Sequence, residues 1–437
     1  MRFATSFRLL LLPIAGVVVA VGSLIAPAYG ASVRCSERPS DPAGYAVTTV
    51  RADQVAATGP VPAIAVLDTG VADVPELSGR VRPGYDVTDR SERSGDIDGH
   101  GTAVAAIAAA AAGGVRGIAP TAPILPIKIF DDAGNSSAEN FLAGLERAVA
   151  QDAGVINVSA AGTPGDLDAA TKASLTNAID AAVTLGIPVI AASGNEGAGS
   201  LDVPAAFPHV IAVGATQPSG DVAPFSNFGS GLDLVAPGAD IVTAAPSALC
   251  ASGYGTVSGT SFAAPAVAGA AALLLQKHPG LDVSQLTDLL RLRGLRRPAP
   301  GWTIERGFGM LDVAAALAAP VPDADVAEVN DDVHWARLQS AALAPPKRTR
   351  ALTARIAPHS DPSDVYRVRL NKKDRFRASL SVPSGSDLRL SFGSSKLKRV
   401  TGRTISKRIT RGGTYFVGVT IARSDPAGAT YRLTLKR

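Results

Sequence analysis

Three features are scarce in this sequence, and each scarcity narrows the choice of function. Aromatic residues make up 5% of the 437 positions and do not accompany the basic residues, so nucleic acid is the least favoured partner. Beyond the N-terminus no stretch approaches the ~18 uninterrupted apolar residues of a membrane span, which predicts no transmembrane segment in the mature protein. Asp-Thr-Gly occurs once, at Asp68, and Asp-Ser-Gly does not occur, which argues against an aspartic protease because that chemistry needs two such carboxylates.

The N-terminus has the pattern of a secretory signal peptide. Arg2 and Arg8 precede an apolar run from Leu9 to about Pro27, and small residues follow the run. This order predicts cleavage near Gly30 or Ala31, a signal peptide over residues 1–30, and a protein that is secreted or associated with the cell envelope. A retained membrane anchor is the alternative, because the apolar run approaches the length of a spanning helix.

The two cysteines leave a choice open. One alternative, in the oxidising compartment that a secreted protein reaches, is a single bridge from Cys35 to Cys250, between the mature N-terminus and the region before residue 261. Two separate buried thiols are the alternative, and the spacing does not decide between them.

The charge is divided between two parts of the chain. Residues 347–437 hold 22 Lys and Arg against 5 Asp and Glu, a formal charge of +17, whereas the other residues hold 20 against 33, a charge of −13. An acidic body therefore precedes a basic tail. Such a tail indicates either attraction to an anionic cell-surface polymer or solvated strand faces that charge keeps soluble.

Strand-like and helix-like segments alternate through the acidic body. Short apolar runs such as Ile64 to Leu67 alternate with Ala-rich helical patterns such as Ala103 to Ala112 and Ser261 to Lys277. Continuously apolar strands are typical of a buried, mainly parallel sheet. We therefore expect a three-layer α/β domain over residues 61–318, preceded by a lead-in segment over residues 31–60.

The pattern changes near residue 320. A Pro-containing, acidic stretch over residues 319–332 predicts a linker, and short alternating strands separated by turn residues follow over residues 333–437. This spacing predicts a C-terminal all-β sandwich domain. The string Asp364-Val365-Tyr366-Arg367-Val368 and the later Gly413-Thr414-Tyr415-Phe416-Val417-Gly418-Val419 resemble the pre-peptidase C-terminal domain of secreted bacterial peptidases.

Three motifs place a carboxylate, an imidazole and a hydroxyl in this order along the chain. They are Ala65-Val66-Leu67-Asp68-Thr69-Gly70, Asp98-Gly99-His100-Gly101-Thr102 and Ser258-Gly259-Thr260-Ser261-Phe262-Ala263-Ala264-Pro265. A serine hydroxyl needs a base to remove its proton, and the base needs a carboxylate to orient it. The order Asp, His, Ser is that of subtilisin. The chain therefore resembles a subtilisin-like serine protease, with Asp68, His100 and Ser261 as the catalytic residues.

Taken singly, these residues have plainer interpretations. Ser261 at the start of a helix is an ordinary N-cap, and His100 between glycines is an ordinary loop residue. The full motifs favour catalysis, although Ala103, Ala264 and Ala266 stand where many family members carry His, Ser and His. None of these three positions belongs to the reacting groups.

The resemblance implies two further sets of residues. Asn195 in Ser193-Gly194-Asn195-Glu196-Gly197 is expected to donate its side-chain amide to the oxyanion, as the corresponding Asn does in subtilisin, although Asn is also common in turns. The substrate-binding residues are then Ser159, Ala160, Ala161 and Gly162, which pair with an extended peptide, and Ala192, Ser193 and Gly194, which wall the pocket for the side chain before the scissile bond. The sequence does not identify the floor of this pocket.

The expected function is that of a secreted serine endopeptidase that acts on polypeptides through an acyl-enzyme and requires no cofactor for catalysis. Calcium commonly stabilises this family, but the loop residues Asp131, Asp132, Asn135 and Asp202 show no diagnostic spacing, so no metal site is assigned. One alternative is a catalytically silent member that binds cell-surface material through its basic β-sandwich. Another is a dedicated maturation protease of the cell envelope rather than a degradative enzyme.

Overall fold

The computed structural model describes twelve ranges of the chain, which are 24–27, 33–56, 59–111, 113–293, 295–296, 303–322, 349–356, 363–382, 387–394, 397–400, 402–421 and 429–436. Most of the predicted signal peptide and most of the predicted linker lie outside these residues, and both stay predictions. None of the helices within these ranges combines the length and the apolar character needed to cross a bilayer.

A nine-stranded sheet forms the centre of the α/β unit. Neighbouring strands are parallel throughout, apart from one antiparallel pair at one edge, Leu295–Arg296 (β14) with Met310–Leu311 (β15). In spatial order the strands are Leu295–Arg296 (β14), Met310–Leu311 (β15), Leu234–Pro237 (β11), Val210–Thr216 (β10), Val189–Ala192 (β9), Val155–Val158 (β7), Ile64–Asp68 (β3), Ile124–Lys128 (β5) and Tyr85–Asp86 (β4).

Helices cover both faces of this sheet. They are Gly44–Thr49 (α1), His100–Ala109 (α2), Ala138–Ala150 (α3), Ala169–Thr184 (α4), Thr260–Lys277 (α5), Val283–Asp288 (α6) and Val313–Ala318 (α7). Alternate residues of β3 enter different cores: Ile64 and Val66 pack in the core that contains α2 and α5, whereas Ala65 and Leu67 pack in the core that contains α3 and α4. This alternation follows from the two-residue period of a strand, and it confirms the expected three-layer α/β architecture.

The first helix turn of α2 begins three residues before the predicted helix. The expected range was Ala103 to Ala112, whereas α2 starts at His100 and ends at Ala109. The Asp96 carboxylate accepts hydrogen bonds from the backbone N–H groups of Gly99 and Thr102, at 2.9 and 2.8 Å. An acceptor at this place satisfies N–H groups that a helix N-terminus leaves without a partner, so the helix extends back to include the histidine.

The segment expected as a lead-in packs against the α/β unit. Val47 and Val50 are buried in the same core as α2 and α5. A short strand, Arg34–Cys35 (β2), pairs antiparallel with Tyr254–Val257 (β13), which pairs with Ile241–Ala244 (β12). Cys35 and Cys250 form a disulfide across a sequence separation of 215 residues. The bridged alternative is therefore the one found in the structure.

The basic region contains two four-stranded antiparallel sheets. The first has the order Thr349–Ile356 (β16), Ala429–Lys436 (β23), Arg375–Ser381 (β18) and Thr404–Arg408 (β21); the second has the order Ser363–Leu370 (β17), Gly413–Ile421 (β22), Leu388–Gly393 (β19) and Lys398–Arg399 (β20). Phe376 and Leu433 of the first sheet share one hydrophobic core with Val368 and Val419 of the second. Two sheets over a common core fit the predicted β-sandwich.

Candidate active site

Asp68 and His100 form a buried pair at the carboxyl edge of the sheet. Asp68 is the last residue of β3 and is 0% exposed, and His100 is the first residue of α2 and is 6% exposed. The imidazole Nδ1–H donates to Asp68 Oδ1 at 2.7 Å. The other ring nitrogen, Nε2, has no hydrogen-bond partner within the described ranges. The carboxylate therefore fixes the tautomer in which Nε2 carries the lone pair.

Small residues let α2 approach β3 this closely. A Cβ atom at Gly101 would collide with the carbonyl oxygen of Gly70 and would lie 3.1 Å from Asp68 Oδ1. Thr69 connects the two elements, because its hydroxyl accepts a hydrogen bond from the N–H of Gly101 at 2.9 Å and donates one to Asp96 Oδ1 at 2.9 Å. The role of Asp96 was not predicted from the sequence, because Asp96 lies three residues before the N-cap position, Gly99, to which capping preferences apply.

The acidic surroundings control the protonation of the pair. Burial raises the pKa of Asp68, and the hydrogen bond and charge of His100 act against that change. Burial alone would lower the pKa of His100, but the carboxylates of Asp68, Asp98 and Asp96 outweigh it and raise the pKa. The imidazole accepts a proton only when it is neutral, so it is ready to act as a base above this raised pKa.

Ser261 is the second residue of α5, and Gly259 occupies the N-cap position. The N-cap interpretation of Ser261 is therefore wrong. The Ser261 hydroxyl donates to the carbonyl oxygen of Ser159 at 3.3 Å rather than to His100. The next residue, Phe262, places its ring 5.0 Å from the imidazole, centroid to centroid, so the start of α5 lies beside the base.

Pro265 changes the hydrogen bonding of the nucleophile's own backbone. Proline has no N–H, so the Ser261 carbonyl, four residues earlier, loses its helical donor. The Ser159 hydroxyl donates to that carbonyl at 2.7 Å, and it accepts a hydrogen bond from Asn157 Nδ2 at 2.9 Å. Ser159 thus connects the end of β7 to the start of α5.

The amide of Asn195 is oriented toward the start of α5. Its Oδ1 accepts hydrogen bonds from the backbone N–H and the hydroxyl of Thr260, at 2.8 and 2.9 Å. Its Nδ2 lies 3.4 Å from the place where a Cβ atom of Gly259 would stand. Because both Thr260 donors hold the oxygen, the orientation of the Asn195 amide at the start of α5 is fixed. This role of Thr260 was not predicted from the sequence.

A three-stranded antiparallel sheet includes the segment that was predicted to pair with the substrate. Its central strand is Leu24–Pro27 (β1), between Ser136–Ser137 (β6) and Ala160–Ala161 (β8). Ala26 pairs with Ala161 and Pro27 with Ala160. The segment expected to pair with an extended peptide therefore pairs with an extended segment of the same chain, which belongs to the predicted signal peptide. The strand runs toward Ser159, whose carbonyl accepts the Ser261 hydroxyl.

The predicted pocket wall lies opposite β8 and is buried. Ala192 ends β9, and the Ser193 hydroxyl donates to the carbonyl oxygen of Asn227 at 3.0 Å. Gly194 has φ +110° and leaves no room for a side chain, because a Cβ atom there would collide with Asn227 and Asp202. The wall is therefore made of backbone, as a surface that pairs with peptide requires.

No group of three or more His, Cys, Asp or Glu in the described part of the chain is arranged to hold a metal ion. Among the loop residues considered for calcium, the Asp131 carboxylate accepts the N–H groups of Ala133 and Asn135, at 2.9 and 2.8 Å, and so closes its own loop. A calcium site stays unassigned.

Comparison with known proteins agrees with this geometry. The sequence profile of the subtilase family matches residues 59–309. Subtilisin Savinase from Lederbergia lenta is 39% identical over 261 residues, which cover 59% of this chain and 91% of that protein. An alkaline protease from Alkalihalobacillus alcalophilus is also 39% identical over 261 residues, but these cover only 65% of its length.

A solved structure gives the same result for the fold. The crystal structure of a lanthipeptide protease superposes with a TM-score of 0.56 and 26% sequence identity, covering 63% of this chain and 92% of that one. The profile match spans more than half of the 437 residues and includes Asp68, His100, Asn195 and Ser261. The chain therefore belongs to the subtilase family of serine proteases.

Proposed function

We propose that this protein is a secreted serine endopeptidase that hydrolyses peptide bonds with Ser261 as nucleophile, His100 as general base and Asp68 as the residue that orients the base. The Asp68–His100 hydrogen bond of 2.7 Å, with Nε2 left for a proton, is the observation that carries this proposal. A catalytically silent member would have no need for an oriented imidazole beside a serine.

The reaction begins when the Ser261 hydroxyl turns from the Ser159 carbonyl to His100 Nε2, which exchanges one acceptor for another. Nε2 takes the proton as Oγ bonds to the carbonyl carbon of the substrate, and Asp68 stabilises the imidazolium. The oxyanion that forms accepts hydrogen bonds from Asn195 Nδ2 and from the Ser261 N–H, which has no partner within the helix. The imidazolium then gives its proton to the leaving amine.

The second half of the reaction releases the acyl group. Water loses a proton to His100 as its oxygen bonds to the acyl carbon, and the bond to Ser261 Oγ breaks as that oxygen regains the proton. His100 Nε2 accepts the proton of Ser261 in the first half of the reaction and that of water in the second. At low pH the fraction of neutral His100 therefore limits the rate of both halves.

The substrate is an extended polypeptide segment. The pairing of β1 with β6 and β8 supports this, since it shows that both strands accept an antiparallel partner through their backbone groups. Recognition through backbone groups suits unfolded or flexible segments, whether the enzyme degrades proteins or removes leader peptides. The likeness to a lanthipeptide protease supports a peptide as substrate.

Labelling with a fluorophosphonate probe tests the proposal. We expect the secreted protein to be labelled on Ser261, and the Ser261→Ala and His100→Ala proteins to show no labelling. Ser174→Ala, which removes an exposed hydroxyl on α4, is the matched control and should label like the wild type. A folded wild-type protein that resists the probe would instead identify a catalytically silent binding protein.

A second proposal concerns the basic sandwich, which we expect to hold the enzyme on an anionic cell-surface polymer. The outer face of the first sheet carries basic residues in opposed positions, with Arg375 paired to Arg408 and Arg377 paired to Lys436. All four are exposed. Like charges placed directly opposite on one sheet face repel each other, and a bound polyanion would remove that repulsion.

A further inference from the structure

One short segment connects the two predicted walls of the substrate pocket. Val203 exchanges two backbone hydrogen bonds with Gly162, both of 2.9 Å, on the side of the groove that β8 forms. The preceding residue, Asp202, donates its N–H to the carbonyl oxygen of Ser193 at 3.0 Å, on the opposite wall. Because this segment connects both predicted walls, its first residue, Asp202, is the candidate for the pocket floor that the sequence did not identify.

The Asp202 carboxylate lies against the wall of the pocket. Its Oδ2 occupies the space where a Cβ atom of Gly194 would stand, and the residue is half-buried. The carboxyl group of Glu196 lies close enough to act on the charge of Asp202, and Glu196 Oε2 accepts hydrogen bonds from the side-chain amide of Asn227 at 2.7 Å and the N–H of Asn195 at 2.9 Å. Within the described residues, neither carboxylate has a Lys, Arg or His partner.

We infer that Asp202, supported by Glu196, makes this protease prefer a cationic side chain, Arg or Lys, immediately before the scissile bond. The inference rests on the proposed function, because it takes the peptide to run along β8 toward Ser261. A half-buried carboxylate without a cation is electrostatically unsatisfied, and a guanidinium or ammonium group at the end of the pocket supplies the missing charge.

The protonation of Asp202 agrees with this arrangement. Burial, together with the charge and the hydrogen bond of Glu196, raises the pKa of Asp202 to about 7. Burial and the neighbouring Glu196 both oppose ionisation of this carboxyl group, and the positive charge of a basic substrate side chain would offset both effects. A neutral side chain offers no such compensation at the same place.

Binding to an inactive protein tests the pocket without catalysis. In a Ser261→Ala background at pH 8.5, the Kd of a peptide Ala-Ala-Pro-Arg-Ala is compared with that of the same peptide containing citrulline, the neutral isostere of arginine. We expect the arginine peptide to bind about tenfold or more tightly, which corresponds to ~1.4 kcal/mol. Equal affinities, or no binding of either peptide, would overturn the inference.

Two substitutions and a matched control locate the effect. Asp202→Asn, and Asp202→Ser as a second variant in case the first does not fold, should bring the ratio of the two Kd values close to one. Asp152→Asn removes the same charge from an exposed position where Asn tolerates the φ of +55°, and it should keep the wild-type ratio. A ratio that survives both Asp202 substitutions would contradict the assignment.

Kinetics then separate this inference from the proposed function. With Ser261 intact, kcat/KM for arginine over citrulline substrates should show the same tenfold preference and lose it in Asp202→Asn. Fluorophosphonate labelling of the same samples reports on the nucleophile independently. Labelled enzyme without an arginine preference would refute the role of Asp202 alone, whereas unlabelled enzyme that still binds the arginine peptide more tightly would refute only the proposed catalysis.

Discussion

At the scale of single residues, the electrostatic setting of His100 decides the pH at which the enzyme works. Three carboxylates raise the pKa of the imidazole against the effect of its burial, and Asp68 is the strongest of them. A raised pKa means that His100 keeps its proton to a higher pH than a free imidazole does. The acid limb of activity therefore lies at a higher pH than that of an unperturbed histidine.

Asp98 offers a way to test this without touching the hydrogen bond to Asp68. Asp98→Asn removes a charge that raises the pKa of His100, while its Oδ1 can still accept the His100 N–H, now at 3.2 Å. We expect the acid limb of kcat/KM to move to lower pH, with the alkaline plateau unchanged within about twofold. Asp152→Asn is the charge-matched control and should leave the pH midpoint of the acid limb unchanged. If Asp98→Asn also leaves this midpoint unchanged, solvent screens the charge of Asp98 from His100.

At the scale of elements, the start of α5 depends on a hydrogen bond from outside the helix. Ser159→Ala leaves the buried Ser261 carbonyl without its donor, because Pro265 has no N–H, and should lower the free energy of unfolding by about 1–3 kcal/mol. Adding Pro265→Ala restores an N–H four residues after Ser261. The double variant should therefore regain part of the loss in denaturant unfolding, and losses that simply add would contradict this account of α5.

The positions of these elements were predictable, and their hydrogen-bond partners were not. Periodicity and Ala-rich patterns indicated β3 and α5 to within one residue, because burial on both faces selects continuous apolar strands. Helix α2 starts earlier than predicted because the Asp96 carboxylate accepts the N–H groups of Gly99 and Thr102. No local sequence pattern predicts the contact between Asp96 and Thr102. The sequence suggested Asp202 only as a calcium ligand, since its contacts with Ser193 and Gly194 join residues that are nine and eight positions apart in the chain.

At the scale of the whole molecule, the two main features are a disulfide and an uneven distribution of charge between the α/β unit and the basic C-terminal region. The Cys35–Cys250 disulfide ties the segment before α1 to the strand pair β12–β13 across 215 residues, and bridges that close long loops typically contribute about 2–4 kcal/mol. The motifs predicted the family because each is short and continuous. The bridge was one of two open alternatives, since pairing two cysteines requires their distance in space.

The basic face of the sandwich gives the last prediction. The strands β16, β18, β21 and β23 contain no Asp or Glu, so the opposed arginines have no counter-charge on their own sheet. Replacing Arg375, Arg377 and Arg408 by Gln should weaken retention on immobilised polyglutamate, while cleavage of a small peptide substrate is unchanged. Wild-type retention should itself decline as salt shortens the Debye length from ~10 Å at 0.1 M to ~3 Å at 1 M.

The control for this prediction removes the same charge elsewhere on the domain. Lys372, Lys373 and Arg411 are exposed in turns, and their replacement by Gln lowers the net charge equally without altering the opposed pairs. If the face binds the polyanion, the turn variant should elute at nearly the wild-type salt concentration and the face variant well below it. Equal shifts would mean that net charge alone attracts the polymer, and the sheet face would then have only a solubilising role.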